Sequence, residues 1–138
     1  MHVDHIGLAV GDLERQRDWY ERAFGFAPAH AFEIPGLGLR GQFLVGPDGL
    51  ALELLERQGS SHPGRPSSPP DALLRQGWAH LCLRVEDVPA AYERALEAGG
   101  ASVAAPGPSP EPAVEFAFVA DPEGNLVELL DRPGPVTA

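Results

Sequence analysis

One pair of residues, a histidine followed by a glutamate, occurs twice in the chain with the same spacing. His5 lies 48 positions before Glu53, and His80 lies 48 positions before Glu128, an offset of 75 between the pairs. The residues around each pair repeat with it, because PDGLALELLE in the first half matches PEGNLVELLD in the second. The chain is therefore two copies of one module, which restricts it to folds that pair two similar halves.

The size of each copy predicts how the two are organised. We expect module one over about residues 1–57, a linker over about 58–76 that is rich in proline, serine and glycine, and module two over about 77–132. A module of roughly 55 residues would be only marginally stable alone, so the modules should share a core or a sheet. The chain is thus expected to form a single domain over residues 1–138.

The first module reads as a strand, a helix and three further strands. Residues 5–10 alternate in side-chain size, with His5 on the face of small residues and the larger apolar residues on the other face. Asp12 can cap a helix that runs to about Phe24, and Gly25 can end it. The helix is expected to pack through Leu13, Tyr20, Ala23 and Phe24. Strands are predicted over residues 27–34, 39–45 and 50–56.

The second module repeats this order. A strand over residues 78–85 is followed by a helix over about 88–98, whose apolar residues recur at helical spacing. Further strands are predicted at 101–105, 114–120 and 126–130. The segment Pro106–Pro112 contains four prolines and is predicted to be an irregular loop. The fold class is therefore α+β, with two βαβββ modules in tandem.

Charge and composition exclude several functions. A formal charge of −10 disfavours nucleic acid and anionic membranes as partners. All ten basic residues are arginine, so chemistry that needs a lysine nucleophile or a P-loop lysine is excluded. Cys82 is the only cysteine, which rules out an intrachain disulfide and a cysteine-based zinc site. With no recognisable signal or spanning segment in the sequence, we expect a cytoplasmic protein.

The repeated residues indicate a metal site. Glu53 and Glu128 each lie alone in an apolar, strand-like run, where an ionised carboxylate needs a partner, and no lysine is available. His5 and His80 occupy the same place in the first strand of each module. Two imidazoles and two carboxylates would neutralise a divalent ion such as Zn, Ni, Co, Mn or Fe(II). The alternative is that the histidines are structural and the glutamates face solvent, with the spacing inherited from duplication alone.

These motifs resemble those of the vicinal oxygen chelate (VOC) superfamily, the glyoxalase, bleomycin resistance protein and dioxygenase family, and the sequence is closest to its glyoxalase I-like members. The resemblance covers residues 2–131 and is carried by DHIGLAVGDLERQRDWYERAFGF, HLCLRVEDV and DPEGNLVELLD. It implies that the paired βαβββ modules form a curved, barrel-like mixed sheet. It also implies that His5, Glu53, His80 and Glu128 are the four metal ligands, and that the protein is a homodimer whose sites are built within one chain or across two.

The resemblance implies an enzyme that acts on a small molecule. Members with four ligands are lyases or isomerases of the glyoxalase I type, in which the metal stabilises an enediolate formed from two neighbouring oxygens of the substrate. Glu128 or Glu53 would be the catalytic base. Two alternatives remain open: an Fe(II) dioxygenase of the extradiol type, which typically uses only three ligands, and a small-molecule binding protein like the bleomycin-resistance proteins, which generally lack the ligand set.

Other residues carry weaker signals. Strand alternation places Trp78, Cys82 and Arg84 on the face of His80, where Arg84 could attract an anionic group or simply lie exposed at the strand end. Three histidines have no counterpart in the repeat and receive no role: His2, His30 and His62. The substrate, and whether a thiol takes part in the reaction, are not encoded by the repeat. We expect the substrate to be set by the segments that do not repeat, chiefly residues 57–76 and 106–112.

Overall fold

The computed structural model describes residues 1–62 and 64–136. The chain divides into two compact units, Met1–Gly64 and Arg65–Ala138, and each is described separately. Both units contain the predicted series of a strand, a helix and three strands. The predicted α+β class with two tandem βαβββ modules is confirmed.

Unit one holds a four-stranded mixed sheet. Its order is β1-β4-β3-β2, with β1 parallel to β4 and the other neighbours antiparallel. A parallel pair needs a long crossover connection, and the helix and two intervening strands provide it. The elements are β1 (Ile6–Val10), α1 (Leu13–Phe24), β2 (Ala27–Ile34), a 3-10 turn (Pro35–Leu37), β3 (Leu39–Val45) and β4 (Ala51–Arg57).

Helix α1 begins and ends as its sequence predicts. The Asp12 carboxylate accepts a hydrogen bond from the backbone N–H of Arg15 at 3.0 Å. Gly25 ends the helix with φ at 71°, a left-handed conformation that glycine adopts without a steric cost. The helix buries Trp19, which the predicted stripe had omitted, and Phe24 is only half-buried. Packing on the leucine-rich face of the sheet thus extends further round the helix than predicted.

Unit two holds a second sheet with the equivalent order, β5-β8-β7-β6. Here β5 is parallel to β8, and the remaining pairs are antiparallel. The one addition is a four-residue helix within the predicted linker. The elements are α2 (Pro69–Ala72), β5 (Leu81–Arg84), α3 (Val88–Glu97), β6 (Ala101–Pro108), β7 (Glu115–Ala120) and β8 (Leu126–Asp131).

Two sequence predictions for unit two are wrong in their boundaries. The loop predicted from Pro106 begins later, because β6 continues to Pro108 and pairs that residue with Glu115. Strand β6 lies at the edge of its sheet and has two register shifts. An edge strand pairs on one side alone, and a register shift leaves residues unpaired, so a strand of this kind can contain prolines without breaking the hydrogen-bond ladder. Strand β5 starts at Leu81, and Trp78, predicted to lie within it, is fully exposed before it.

The turn before β8 is held by a buried carboxylate. Asp121 accepts hydrogen bonds from the backbone N–H groups of Glu123 and Asn125 at 2.9 and 2.8 Å, and from the Asn125 side chain at 2.7 Å. Gly124 takes φ of 83° within this turn. The guanidinium of Arg65 lies 3.9 Å from the carboxylates of both Asp121 and Glu123. The start of β8, and with it the position of Glu128, is thus well defined.

Candidate functional site

In unit one the sheet brings His5 and Glu53 together. The parallel register places Glu53 beside Gly7, so the Glu53 side chain lies on the face to which His5 belongs. Its neighbours Leu52 and Leu54 point to the opposite face and are fully buried on the side where α1 packs. His5 Nε2 lies 3.4 Å from Glu53 Oε2, and the two side chains are 35% and 17% exposed.

An aspartate orients the His5 ring. His5 Nδ1 and Asp4 Oδ1 are 2.7 Å apart, so the ring N–H donates to the carboxylate and Nε2 is left facing Glu53. This hydrogen bond is the main cause that raises the pKa of His5, with burial acting against it and the Glu53 charge adding to it. A histidine held at one nitrogen by a carboxylate is a typical arrangement for a metal ligand at the other.

In unit two the same geometry joins His80 to Glu128. The register pairs Cys82 with Glu128, which puts the Glu128 side chain on the His80 face. His80 Nε2 lies 3.1 Å from Glu128 Oε2, and the side chains are 34% and 18% exposed. Both units therefore present one imidazole nitrogen and one carboxylate oxygen, close together and partly open to solvent.

Each histidine also meets a phenylalanine ring edge-on. The ring centres of His5 and Phe43 are 5.2 Å apart at 89°, and those of His80 and Phe118 are 5.3 Å apart at 84°. Phe43 and Phe118 are themselves 75 positions apart, so the repeat offset is the sequence signal that points to them. The phenylalanines lie opposite Glu53 and Glu128 in the sheets and thus form one wall of each pair.

Two other predicted residues behave differently. The side chain of Cys82 lies beside Glu128, and burial, the Glu128 charge and a hydrogen bond to it raise the pKa of the thiol to about 12. The positive charges of Arg132 and Arg84 act in the opposite direction. Trp78 precedes the strand and does not take part in the sheet face. His30, given no role from sequence, stacks on Phe32 with ring centres 6.2 Å apart.

The donor groups fit a divalent ion. Two donor atoms that bind one ion at about 2.1 Å in neighbouring coordination positions lie about 3 Å apart. The Nε2 to Oε2 distances in the two His–Glu pairs are 3.4 and 3.1 Å. Imidazole and carboxylate together suit Zn, Ni, Co, Mn or Fe(II). Over residues 1–62 and 64–136, no group of three or more His, Cys, Asp or Glu side chains could hold a metal. Each pair therefore offers two candidate donors to an ion within its own unit.

A cleft in unit one lies away from this pair. It has a volume of about 490 Å³ and is lined by Glu33, Arg40, Glu56 and Arg57 among others, but by neither His5 nor Glu53. Arg40 is already engaged, since its guanidinium bridges Glu14 at 2.8 Å and Glu56 at 2.7 Å. This cleft therefore does not mark the His–Glu site. No helix in the described part of the chain is long and apolar enough to span a membrane.

The repeated strand order and the two His–Glu pairs agree with the sequence comparison, which defines the class of protein. Residues 2–129 match the Glyoxalase/Bleomycin resistance protein/Dioxygenase superfamily, and the chain belongs to this family. The predicted membership of the VOC superfamily is thus confirmed.

The relatives are mainly named for one activity. The chain is 30% identical over 134 residues to a lactoylglutathione lyase of Arabidopsis thaliana, covering 95% of this chain and 44% of that protein. It is 28% identical over 135 residues to the lactoylglutathione lyase of Escherichia coli O157:H7, covering 96% and 93%. The structure of glyoxalase I from Zea mays superposes with a TM-score of 0.76 at 26% identity, covering 94% of this chain and 44% of that one. The chain thus spans less than half of the plant relatives.

Proposed function

We propose that this protein is a metal-dependent lyase or isomerase of the glyoxalase I type, acting on a small substrate with two adjacent oxygens. The observation that carries the proposal is the equivalence of the two His–Glu pairs, with Nε2 to Oε2 distances of 3.4 and 3.1 Å at matching positions of the two units. The names of relatives at 26–30% identity support the same activity.

In this proposal four residues hold one divalent ion: His5, Glu53, His80 and Glu128. Two neutral imidazoles and two carboxylates balance the charge of the ion, which matters in a chain with no lysine to compensate buried acids. When bound, the ion would supply Lewis acidity to the adjacent oxygens of a substrate and make the neighbouring C–H more acidic. We further propose a homodimer, from the resemblance, and a single domain over residues 1–138 and a cytoplasmic location, from the length and composition of the sequence.

The proton is then moved by a glutamate. Glu53 and Glu128 are the carboxylates nearest to the histidines, and each retains 17–18% of its side-chain surface exposed, enough to meet a bound molecule. A carboxylate within hydrogen-bond reach of a carbon-bound proton can act as general base and return the proton to the adjacent carbon. The two carboxylates occupy equivalent positions in their sheets, each opposite a phenylalanine, so either can fill this role.

Metal binding is the first experiment. Protein stripped with a chelator is titrated with Ni, Co, Zn, Mn and Fe(II), and bound metal per chain is measured by elemental analysis and calorimetry. We expect a stoichiometric site that His80→Ala and Glu128→Gln abolish, while His62→Ala, a histidine outside both pairs, leaves it intact. Absence of stoichiometric binding, or binding that survives both site variants, would rule out the proposal.

Activity is the second experiment. The metal-loaded protein is given the hemithioacetal of methylglyoxal and glutathione, and formation of the lactoylglutathione thioester is followed by absorbance. We expect turnover that Glu53→Gln and Glu128→Gln each reduce by at least about 10² to 10⁴-fold, because each substitution removes a proposed metal ligand and a candidate catalytic base together. Oxygen uptake with catechols under Fe(II) loading would instead assign the dioxygenase alternative. Ligand binding without turnover, unchanged by chelation, would assign a binding protein.

A further inference from the structure

Two arginines of unit two lie on the sheet face that carries Glu128. Arg84 is paired with Leu130, one step along the face from the pair of Cys82 and Glu128. Arg132 follows β8 directly, and alternation along the strand places it on the same face as Glu128. At about 3.3 Å per residue, its Cα lies roughly 13 Å from that of Glu128, within the length of a small molecule bound at Glu128.

The electrostatic contacts agree with this placement. The charges of Arg84 and Arg132 both act on the Cys82 thiol, and the charge of Glu128 acts on Arg132. The residue that matches Arg84 in module one is Ala9, so this positive charge is not simply inherited from the repeat. In a chain with a formal charge of −10, two guanidiniums beside a candidate catalytic carboxylate form a distinctive feature.

One of these arginines, Arg132, already binds a carboxylate of the protein itself. Glu111, in the turn between β6 and β7, accepts a hydrogen bond from Arg132 Nε at 3.1 Å, and its second oxygen accepts from Arg132 Nη2. This two-point geometry is the one that guanidinium prefers with carboxylates. The Glu111 side chain is 48% exposed, whereas that of Arg132 is 19% exposed, so the carboxylate reaches inward from a surface turn.

The second arginine is less committed. The Arg84 guanidinium donates to the backbone carbonyl of Gly134, and among residues 1–62 and 64–136 it pairs with no carboxylate. The internal carboxylate of Glu111 thus binds Arg132 and not Arg84, and it lies on an exposed turn. An exposed ion pair of this kind contributes little, so a ligand can exchange for it at small cost.

We infer that Arg84 and Arg132 form a carboxylate-binding subsite, and that Glu111 is an internal carboxylate which the ligand displaces. The location of the reacting part of the ligand at Glu128 rests on the proposed function, whereas the anion subsite itself rests on unit two alone. The ligand class is a small molecule with a carboxylate group, because Arg132 already binds that group in the two-point geometry. The displaced Glu111 would then extend into solvent with its turn.

The test uses metal-free protein and a carboxylate with no adjacent oxygens for chelation. Butyrate is titrated into ¹⁵N-labelled protein, and its affinity is read from the arginine side-chain and backbone NMR signals. Removing the competing carboxylate in Glu111→Gln should tighten butyrate binding roughly three- to fivefold, as expected for loss of an exposed ion pair. Arg132→Gln should abolish binding, and Arg84→Gln should weaken it several-fold.

Arg94→Gln is the matched control, because Arg94 is an exposed arginine on α3 and its loss changes the net charge equally. It should bind butyrate as the parent does. Unchanged affinity in Glu111→Gln, or binding that survives Arg132→Gln, would overturn the inference. Inorganic phosphate that binds more tightly than butyrate in every variant would overturn the carboxylate class. Because no metal is present, these outcomes are independent of whether the proposed metal function holds.

Discussion

The two units share the His–Glu pair and the phenylalanine that meets its histidine, and they differ in other residues next to the pair. In unit one His5 has the orienting carboxylate of Asp4, and Glu53 has a glycine, Gly7, at its side. At the matching positions unit two has Ala79 and Cys82. In the proposed site, the duplicated residues are the two donors that each half holds at about the same distance. The positions that diverged can serve tasks that only one half performs.

The units also differ in how they fill the sheet next to the pair. In unit one Phe32 on β2 lies opposite Gly41 on β3, and the ring covers the glycine. In unit two the order is reversed, since Gly107 on β6 lies opposite Phe116 on β7. These positions are 75 apart in each case. Each cross-strand pair thus keeps one ring and one glycine, which conserves the volume of the pair while the ring changes strand.

The largest effect should come from removing one donor of the proposed site. His5→Ala and His80→Ala should each lower metal affinity by about 100-fold or more, because each removes one donor of four and second-layer partners alone typically account for 10–100-fold. Calorimetric titration with Ni or Co measures this. An affinity lost in only one of the two variants would show that a single unit binds the metal, which would break the equivalence of the pairs.

The first difference between the units, Asp4 in unit one against Ala79 in unit two, can be tested by substitution. Asp4→Ala should weaken metal binding by about tenfold, because the His5 ring loses the hydrogen bond of 2.7 Å that points Nε2 toward Glu53. Ala79→Asp should strengthen it if the same arrangement can be transferred to His80. Asp18→Ala, which removes an exposed acid of α1, is the control for net charge. Equal affinities for Asp4→Ala and this control would contradict an orienting role.

The second difference between the units, the reversed order of phenylalanine and glycine across the strands, can be tested at the two glycines. A Cβ at Gly41 would lie 2.2 Å from the Phe32 ring, whereas one at Gly107 would meet nothing closer than 4.0 Å. Gly41→Ala should therefore lower the free energy of unfolding by about 1–2 kcal/mol through displacement of the ring. Gly107→Ala should leave it within about 0.5 kcal/mol or raise it slightly. Urea unfolding followed by circular dichroism measures both, and comparable losses would show that the ring moves freely.

The smallest effect concerns charge on the sheet. Arg40 bridges Glu14 and Glu56 in unit one, and its hydrogen bond to Glu14 is the main cause that lowers the pKa of that carboxyl. A lowered pKa means that this contribution to stability is present above the ordinary glutamate pKa and is lost as the pH falls through the lower value in the folded state. The difference in Tm between the parent and Arg40→Gln should therefore shrink between pH 6 and pH 3.

The matching position in unit two is Glu115, which lies opposite Asp131, so two acids face each other there. Glu115→Gln should raise the Tm slightly at pH 7, because it removes one of two like charges that face each other across the strands. A difference for Arg40→Gln that stays constant with pH would show that packing of the arginine, and not its charge, carries the effect.

Much of the local structure could be predicted from the sequence. The bounds of α1, with the cap at Asp12 and the end at Gly25, follow from side-chain chemistry within a few residues. Strands β2 and β3 match the predicted ranges because alternation is a local pattern. The extension of β6 through Pro108 could not be predicted from the sequence, because proline is acceptable there only in a strand at the edge of a sheet.

The sequence by itself determined the twofold repeat, the α+β class and the candidate donors, because side-chain alternation and helix capping act over a few residues. Only the tertiary structure decided that β1 pairs in parallel with β4, which brings His5 within 3.4 Å of Glu53 from 48 positions away. It also decided that Glu111 reaches Arg132. A local pattern specifies which face a side chain takes. Its neighbour on that face depends on strand order and register, which are set when the apolar faces of the helix and the sheet bury each other.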